Sequence, residues 1–242
     1  MNNILKKFIS IHKESIDSNK WDEVYANIPT TFRGDLTSIL LEAGINPLPY
    51  MNEIPEYFAE GSQINITQIP ENIKNIWDNA FESCKNLTNI SIPNSVANIG
   101  WGTFSNCTNL TNITISNGIK NIRGYAFSGC SSLTSVTIPN SVKSIENCVF
   151  AGCSSLSSIE IPNSVTIIGI SAFYKCNSLT SVTIPDSVTS IWKGAFGDCP
   201  YLKLLRYKGT RAEWENIQKS SQWSFKSSIK EIECTDGIIS LK

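Results

Sequence analysis

The sequence predicts an α/β solenoid, a stack of similar coils that each contain a short strand and a turn of helix. Three residue types recur at one strict step of 23 residues. The cysteines of this series are Cys84, Cys107, Cys130, Cys153, Cys176 and Cys199. The phenylalanines are Phe81, Phe104, Phe127, Phe150, Phe173 and Phe196, and the leucines are Leu87, Leu110, Leu133, Leu156, Leu179 and Leu202. Six copies at a single period indicate a repeat architecture.

One unit, residues 139–161, shows how a coil would form. It opens with Pro, Asn and Ser, which favour a turn. Phe150, Cys153 and Leu156 follow at steps of three, which places them on one face of a tight helical turn. Ile159 and Ile161 alternate with polar residues, as in a strand with one buried face. A single coil cannot bury its apolar side, so we expect the coils to stack around a continuous core.

These residues resemble the BspA-like leucine-rich-repeat family. The family pattern is clearest in residues 187–191 (SVTSI), 195–196 (AF) and Cys199, and again in residues 176–185. The resemblance covers residues 67–207, which we interpret as six repeats of 23 residues. It implies a leucine-rich-repeat right-handed coil with short strands and short helical turns. Because the members are mostly bacterial, phage or protozoan proteins of attachment and recognition, it also implies a binding role.

Residues 1–66 lack the repeat and are expected to form a helical N-terminal capping domain. Two apolar sets follow helical spacing: Ile4, Leu5, Phe8 and Ile11, and then Leu36, Ile39, Leu40 and Ala43. Asp35 near the start and Gly44 just past the end mark the bounds of the second helix. Ile54 and Pro55 begin an incomplete repeat. A cap is expected because an open end of the stack would expose apolar side chains and unpaired strand edges.

Residues 208–242 are expected to form a mixed C-terminal cap. A short helix is predicted from Thr210 to Ile217, with Glu213 in the capping-box position. Trp214 and Trp223 are expected to cover the last coil. For both ends of the chain, a dedicated partner site is the alternative to a cap.

The charge balance argues against general nucleic-acid binding. The chain carries 20 basic and 21 acidic residues, a net charge of -1, and no segment is basic enough to neutralise a run of phosphates. No apolar run approaches the roughly 20 residues needed to span a bilayer. The first residues lack the apolar core and cleavage site of a signal peptide. We therefore expect a cytoplasmic protein that makes no membrane contact.

Eight cysteines could form disulfides or remain free thiols. A cysteine at the same place in every coil is typical of a small buried filler, and disulfides are uncommon without secretion. We therefore expect free thiols. Cys148 and Cys234 lie outside the series, and Cys148 occupies a variable position where a reactive role is the alternative. No CxxC pair indicates a zinc site, so no metal is expected.

The sequence offers no catalytic constellation. Its single histidine, His12, falls in the predicted N-terminal helix and is expected to be a surface or cap residue. No nucleophile elbow, phosphate-binding loop or zinc-protease motif is present, and the acidic residues of the repeats are scattered. We expect neither enzymatic activity nor a cofactor.

Two surfaces of the stack are candidates for partner binding. One is the outward strand face, with Ser91, Thr114, Thr137, Glu160, Thr183 and Arg206. The other is an edge that follows the Ile of each Ser-Ile or Asn-Ile pair. Its candidate binding residues are Trp77, Asp78, Trp101, Arg123, Tyr125, Glu146, Trp192 and Lys193. Because Trp, Tyr and Arg are enriched in binding hot spots, we favour the edge over the alternative that each tryptophan packs on a neighbouring coil.

Three function hypotheses follow. The first is a protein-binding module, in its narrower form a bacterial or phage inhibitor of a host defence protein. The second is a surface adhesion protein, which requires export. The third is a nucleic-acid or ribonucleoprotein binder, ranked last because the chain has too little positive charge. We expect a monomer or a small homodimer, since an exposed tryptophan edge could pair with itself.

Overall fold

The computed structural model describes residues 7, 10–11, 13–17, 20–42 and 45–241. The chain forms a β-solenoid of about eight turns with few short helices. Two ribbons of short strands run along the stack, and the apolar side chains between them form its core. This architecture confirms the predicted solenoid of repeating coils.

The first ribbon, here called the edge ribbon, has one two-residue strand in each coil. Its strands are β1 (Glu53–Ile54), β2 (Asn75–Ile76), β4 (Asn98–Ile99), β6 (Asn121–Ile122), β8 (Ser144–Ile145), β10 (Ile167–Ile168), β12 (Ser190–Ile191) and β14 (Gln218–Lys219). They pair in the orders β1-β2-β4-β6 and β8-β10-β12-β14, always in parallel. Ile99 stands opposite Ile122, one repeat later. This register places equivalent residues of successive coils in columns.

The second ribbon, here called the face ribbon, has strands of three or four residues except for β7, which has two. They are β3 (Asn89–Ile92), β5 (Asn112–Ile115), β7 (Ser135–Val136), β9 (Ser158–Glu160), β11 (Ser181–Ile184), β13 (Leu204–Tyr207), β15 (Glu231–Cys234) and β16 (Gly237–Ser240). Strands β3 to β15 pair in parallel within two groups, and β16 closes the ribbon by pairing antiparallel with β15. Inward and outward side chains alternate along β5 and β11, as expected for one buried face.

Tight turns connect the edge ribbon to the face ribbon in each coil. The Cys84 N–H donates to the Phe81 carbonyl at 3.3 Å, the i to i+3 bond expected from the spacing of three. The turn does not grow into a helix, because alternate N–H groups bond to the next coil: the Phe81 N–H donates to the Thr103 carbonyl at 2.9 Å and the Ser83 N–H to the Ser105 carbonyl at 2.8 Å. Ser83 reverses the backbone with φ 58°. The predicted helical turn is therefore present as separate hydrogen-bonded turns.

The six phenylalanines of the 23-residue series form a ladder of stacked rings. Their successive centroids lie between 5.3 and 5.6 Å apart, and every ring is fully buried. Phe58 meets the first ring edge-on at 6.0 Å, and Trp223 meets the last in the same way at 6.0 Å. The core is therefore continuous along the stack and is closed by an aromatic ring at each end.

The cysteines form a second ladder beside the rings. Each thiol donates to a backbone carbonyl of the preceding coil, as Cys107 does to Phe81 at 3.1 Å and Cys130 does to Phe104 at 3.1 Å. Burial raises the pKa of the Cys130 thiol to about 12. All eight cysteines are free, which confirms the expected thiols. Outside the ladder, Cys148 is half-buried and Cys234 is buried.

The helices that precede the first coil include α1 (Lys13–Asp17), α2 (Trp21–Ala26) and α3 (Arg33–Glu42). Short 3₁₀ turns cover Thr30–Phe32 and Leu48–Tyr50. The predicted second helix corresponds to α3, whose Leu36 and Leu40 are buried. The short helix α2 was not predicted. It buries Trp21 and Tyr25, and the Tyr25 ring lies 5.1 Å from that of Phe58.

Helix α3 lies directly on the first coil. The Thr37 hydroxyl donates to the Phe58 carbonyl, and a Cβ on Gly34 would collide with the carbonyl of Glu60. Of the predicted first helix, Ile11 is exposed. Several residues of the two predicted helices lie outside the described part of the chain. They are Ile4, Leu5, Phe8, His12, Ala43 and Gly44.

The C-terminal segment closes the other end. Helix α4 (Arg211–Asn216) begins at the N-cap Thr210, whose hydroxyl accepts the Glu213 N–H at 3.3 Å while the Glu213 carboxylate accepts the Thr210 N–H at 2.7 Å. This confirms the predicted capping box. Hydrogen bonds donated to the Glu213 carboxylate by the Thr210 N–H and the Thr210 hydroxyl lower the pKa of that carboxyl. Trp214 is buried, with its ring 5.8 Å from that of Trp223.

Strand pairing extends beyond residues 67–207 in both directions. Strand β1 pairs with β2, so the coil begins within the N-terminal segment, and β14 and β15 pair with the strands before them. The division at residues 66 and 207 stays a prediction. Among the described residues, no helix combines the length and apolar character required to cross a membrane.

Candidate partner-binding edge

Three columns of residues, here called the edge columns, follow the edge ribbon. The first column is Trp77, Gly100, Arg123, Glu146, Gly169 and Trp192. The second is Asp78, Trp101, Gly124, Asn147, Ile170 and Lys193, and the third is Asn79, Gly102, Tyr125, Cys148, Ser171 and Gly194. All eight predicted binding residues lie in these columns. Seven are exposed and Asp78 is half-buried.

Backbone hydrogen bonds between coils hold the columns in register. In the first column, the Trp77 N–H donates to the Ile54 carbonyl at 2.9 Å, and the Trp192 N–H donates to the Ile168 carbonyl at 3.0 Å. In the third column, the Tyr125 N–H donates to the Asn147 carbonyl at 2.9 Å. These backbone donors are therefore used inside the stack, and recognition along the edge falls to side chains.

Two glycines of the first column create notches in the edge. A Cβ on Gly100 would come within 2.5 Å of the backbone carbon of Trp77, and one on Gly169 within 2.7 Å of the backbone carbon of Glu146. The coils are too close there for any side chain. The Gly100 notch is a groove of about 320 Å³ between Trp77 and Arg123, and the Gly169 notch is one of about 370 Å³ between Glu146 and Trp192.

The two notches are built in the same way. Asp78 Oδ1 accepts the Trp101 N–H at 2.7 Å beside Gly100, and Asn147 Oδ1 accepts the Ile170 N–H at 2.8 Å beside Gly169. Each side-chain oxygen thereby satisfies a backbone donor that follows the glycine. The Asp or Asn on one coil and the Gly on the next form a pair that recurs three repeats later.

The aromatic side chains of the edge are only partly packed. Trp77, Trp101, Tyr125 and Trp192 are each between 38% and 45% exposed. Trp101 rests against Tyr125, with ring centroids 4.9 Å apart, and the Trp77 indole N–H donates to Glu53 at 2.8 Å. Trp77, Trp101 and Tyr125 are therefore each held by a contact with a neighbouring coil, while a substantial part of all four side chains remains exposed.

A row of amides lies behind the Gly100 notch. Asn121 donates to Asn98 at 2.8 Å, Asn98 donates to Asn75 at 2.9 Å, and Asn75 donates to Glu53 at 2.7 Å. The row fixes these side chains and ends at the carboxylate that also holds Trp77. Asn75, Asn98 and Asn121 line the Gly100 notch, which gives it a polar floor.

Tyr125 and Cys148 occupy backbone positions that favour glycine. Tyr125 has φ 60° and Cys148 has φ 57°, while the equivalent residues Gly102 and Gly194 have φ 61° and 67°. A hydrogen bond to the Cys148 sulfur raises the pKa of the Tyr125 phenol. All six residues of the third column have positive φ, so this conformation belongs to the turn of each coil, and a bulky side chain adopts it only with strain.

The strand face offers less to a partner. Arg206 pairs with Glu233 at 3.1 Å, and Glu160 pairs with Lys208 at 2.8 Å. The charged residues of this face therefore already have partners, and its other predicted positions are Ser and Thr.

Sequence reasoning missed several parts of the edge. Ile167 is 39% exposed and lines the Gly169 notch together with Trp192. The notches were also missed, although Asp78 and Asn147 each precede their glycine by 22 residues in the sequence. Among the described residues, no group of three or more His, Cys, Asp or Glu side chains is placed to hold a metal ion.

Comparison with known proteins agrees with this architecture. The family model described as BspA type Leucine rich repeat region matches six copies over residues 51–157 and 145–242. No curated protein shows significant similarity to the chain.

Several solved structures are similar. A leucine-rich repeat protein of T. pallidum (TpLRR) shares 35% identity with a TM-score of 0.57, over 59% of this chain and 68% of that one. A leucine rich cell surface protein of Faecalibacterium prausnitzii shares 33% identity with a TM-score of 0.47, over 65% of this chain and 35% of that one. A leucine-rich repeat protein of Bacteroides ovatus shares 23% identity with a TM-score of 0.52, over 76% of this chain and 58% of that one.

The matched residues therefore include the exact repeats, the C-terminal segment and residues 51–66 of the N-terminal segment. Leucine-rich-repeat arrays generally mediate protein interactions and are typically binding scaffolds without enzymatic activity. The chain belongs to the BspA-type leucine-rich-repeat family.

Proposed function

We propose that the chain is a protein-binding module and that the edge columns are its binding surface. The observation that carries this proposal is the partial exposure of Trp77, Trp101, Tyr125 and Trp192 beside two notches along one edge. Exposed aromatic residues that are held in place by neighbours are the residues most enriched at the centres of protein interfaces.

The dimensions and chemistry of the edge support a protein partner. From Trp77 to Trp192 the edge crosses five coil spacings, which is roughly 24 Å at about 4.8 Å per strand. That length suits a standard protein interface. Asp78, Arg123 and Lys193 add charges of both signs beside the aromatic rings, an arrangement typical of an interface in which polar groups surround an apolar centre.

The test is an affinity capture with tagged protein and a cognate lysate. We expect wild type to retain a protein partner, and we expect a triple variant with Trp77→Ala, Trp101→Ala and Trp192→Ala to lose most of it. The variant should remain folded because these side chains are partly exposed. Circular dichroism and the urea midpoint would verify that it does.

The matched control is Tyr201→Ala, which removes an aromatic side chain that is 63% exposed and lies outside the edge columns. It should retain the partner as wild type does. Equal retention of the partner by the folded triple variant would move binding away from the edge. Failure of wild type to capture any protein would count against the module itself.

A narrower form of the proposal is an inhibitor of a host defence protein, of bacterial or phage origin. It rests on the doubly capped stack, which presents one continuous edge. It predicts that the captured partner loses its own activity in proportion to the amount bound, and that the triple tryptophan variant relieves the loss. A partner that stays fully active in the complex would contradict this narrower role.

A further inference from the structure

The Gly169 notch combines a carboxylate with aromatic side chains. Its lining includes Trp101, Tyr125, Glu146, Asn147, Ile167 and Trp192. Glu146 is the one charged residue among the residues that line this groove, and no basic side chain lines it. Lys193 follows Trp192 in the sequence but does not line the notch. The groove therefore has a negative charge beside electron-rich rings, which is a combination that attracts a cation.

The Glu146 carboxylate is held in place and keeps capacity for a partner. Its Oε2 accepts the Gly124 N–H at 2.8 Å, which fixes the side chain against the stack. Within the described part of the chain, the ion pairs are Arg206–Glu233, Lys208–Glu160 and Arg211–Asp236, so Glu146 is in none of them. Its Oε1 accepts no hydrogen bond from the described residues and is free to accept one from a ligand.

The width of the notch suits one planar cation. Glu146 and Trp192 stand on either side of Gly169, two coil spacings apart, which is roughly 10 Å between their backbones. A guanidinium group placed between them can donate hydrogen bonds to the carboxylate from its edge while its face stacks on the indole. An ammonium group would meet the carboxylate but could not stack on the ring in the same way.

We propose, as an extension of the protein-binding function on which it rests, that the Gly169 notch receives an arginine side chain of the partner protein. The guanidinium donates two hydrogen bonds to the Glu146 carboxylate and stacks on Trp192, while its aliphatic stem contacts Ile167. No bond of the stack has to be broken for this, because the notch is kept open by Gly169.

The Gly100 notch provides an internal contrast. It is built on the equivalent pair, Asp78 and Gly100, and it has Trp77 at one wall. Arg123 lines it together with Asp78 and Glu146, so a basic side chain of the chain itself is already present beside the carboxylates of this notch. We expect no selection for arginine at this notch, and a change at Trp77 should leave arginine binding intact.

The experiment measures binding of the full chain to immobilised nonapeptides of glycine and serine with one central residue, either Arg, Lys, Gln or Glu. Dense immobilisation makes weak binding measurable. We expect the arginine peptide to bind about tenfold more tightly than the lysine peptide, with the Gln and Glu peptides showing no binding. Glu146→Gln and Trp192→Ala should each weaken arginine binding about tenfold, whereas Trp77→Ala should match wild type.

Three outcomes would overturn the proposal. They are undetectable arginine binding by wild type, equal binding of the arginine and glutamine peptides, and unchanged arginine binding by Glu146→Gln. These outcomes are separable from failure of the protein-binding function. If the triple tryptophan variant loses a captured protein while Glu146→Gln retains it, the edge binds proteins without this arginine contact.

Discussion

Each of the two notches depends on one glycine, Gly100 or Gly169. Gly100 and Gly169 do not have positive φ, so glycine is needed there only because no Cβ fits between the coils. Gly61 is the opposite case, since it has φ 64° and nothing lies within 4 Å of the position that a Cβ would take. Its requirement is conformational. The same residue type is therefore used for two different physical reasons in this chain.

Gly100→Ala should be the more damaging of two glycine substitutions. Its Cβ meets backbone on the preceding coil, so the coils must separate, at a cost of roughly 1 to 3 kcal/mol in the free energy of unfolding. Gly61→Ala meets open space and should cost only about 1 kcal/mol for the left-handed backbone. Urea unfolding of both variants measures the difference. A cost for Gly100→Ala at or below that of Gly61→Ala would show that the coils relax freely.

At the scale of elements, the cysteine ladder makes stability depend on alkaline pH. Burial raises the pKa of the Cys130 thiol from an ordinary value of 9.0 to about 12, and it raises those of Cys84 and Cys199 to about 12 as well. Below pH 9 the thiols are protonated in both the folded and the unfolded chain. Between pH 9 and pH 12 the unfolded chain releases protons that the folded chain retains, so stability falls as pH rises.

Cys130→Ser should reduce this pH dependence. The serine hydroxyl can still donate to the Phe104 carbonyl, but it does not titrate in this range. Each ladder thiol contributes a slope of about 1.4 kcal/mol per pH unit above pH 9. Urea unfolding at pH 8 and pH 10, with reductant, should therefore show a smaller loss of stability for the variant than for wild type. An identical loss in both proteins would mean that Cys130 ionises as readily folded as unfolded.

The elements themselves were predictable to different degrees. The 23-residue period was enough to predict the stacked coils, because the packing repeats with the sequence. The alternation of Ile159 and Ile161 with polar residues was enough to predict a strand in each coil. Helix α2 could not be predicted, since its six residues are too few for a helical period. The expected helical turns appear as separate turns, because their alternate N–H groups find acceptors on the next coil, as that of Phe81 does.

At the scale of the whole molecule, the core and backbone contacts of each coil are made with the coils next to it. Stability in such a stack is the sum of contributions from single coils and from the interfaces between them, so damage at one end remains local. The Phe196 ring is covered by Trp223 at one end, and the Phe81 ring is covered by Phe58 at the other. These end contacts protect the ladder from water.

Trp223→Ala should loosen the C-terminal coils and leave the N-terminal coils unchanged. Loss of the partly buried indole should destabilise the last coils by roughly 2 kcal/mol. Hydrogen exchange should accelerate in β13 and β15 and remain as in wild type in β2 and β4. Trp223→Phe, which keeps a ring over Phe196, is the control and should exchange almost as wild type does. Uniform acceleration along the whole stack would show that the coils unfold as one unit.

The edge columns were also predictable only in part. The period of the repeat places Trp77 and Trp192 in one column, and residue type alone identified them as candidates for binding. The notches required the distance between a glycine and the backbone of the preceding coil, which no single repeat reveals. The role of Glu146 depended on the hydrogen bond from Gly124, a contact between neighbouring coils.

The recurrence of the Asp or Asn and Gly pair after three repeats has a consequence for how such a gene can change. The two notches share walls, because Glu146 lines both of them while Trp101 and Tyr125 line the Gly169 notch, so a repeat inserted between Arg123 and Glu146 would change both. Gain or loss of a repeat beyond residues 75–192 would instead change the length of the stack by one coil spacing, about 4.8 Å, and leave both notches unaltered. Recombination can therefore vary the length of the stack in fixed steps while the two notches are inherited together as one block.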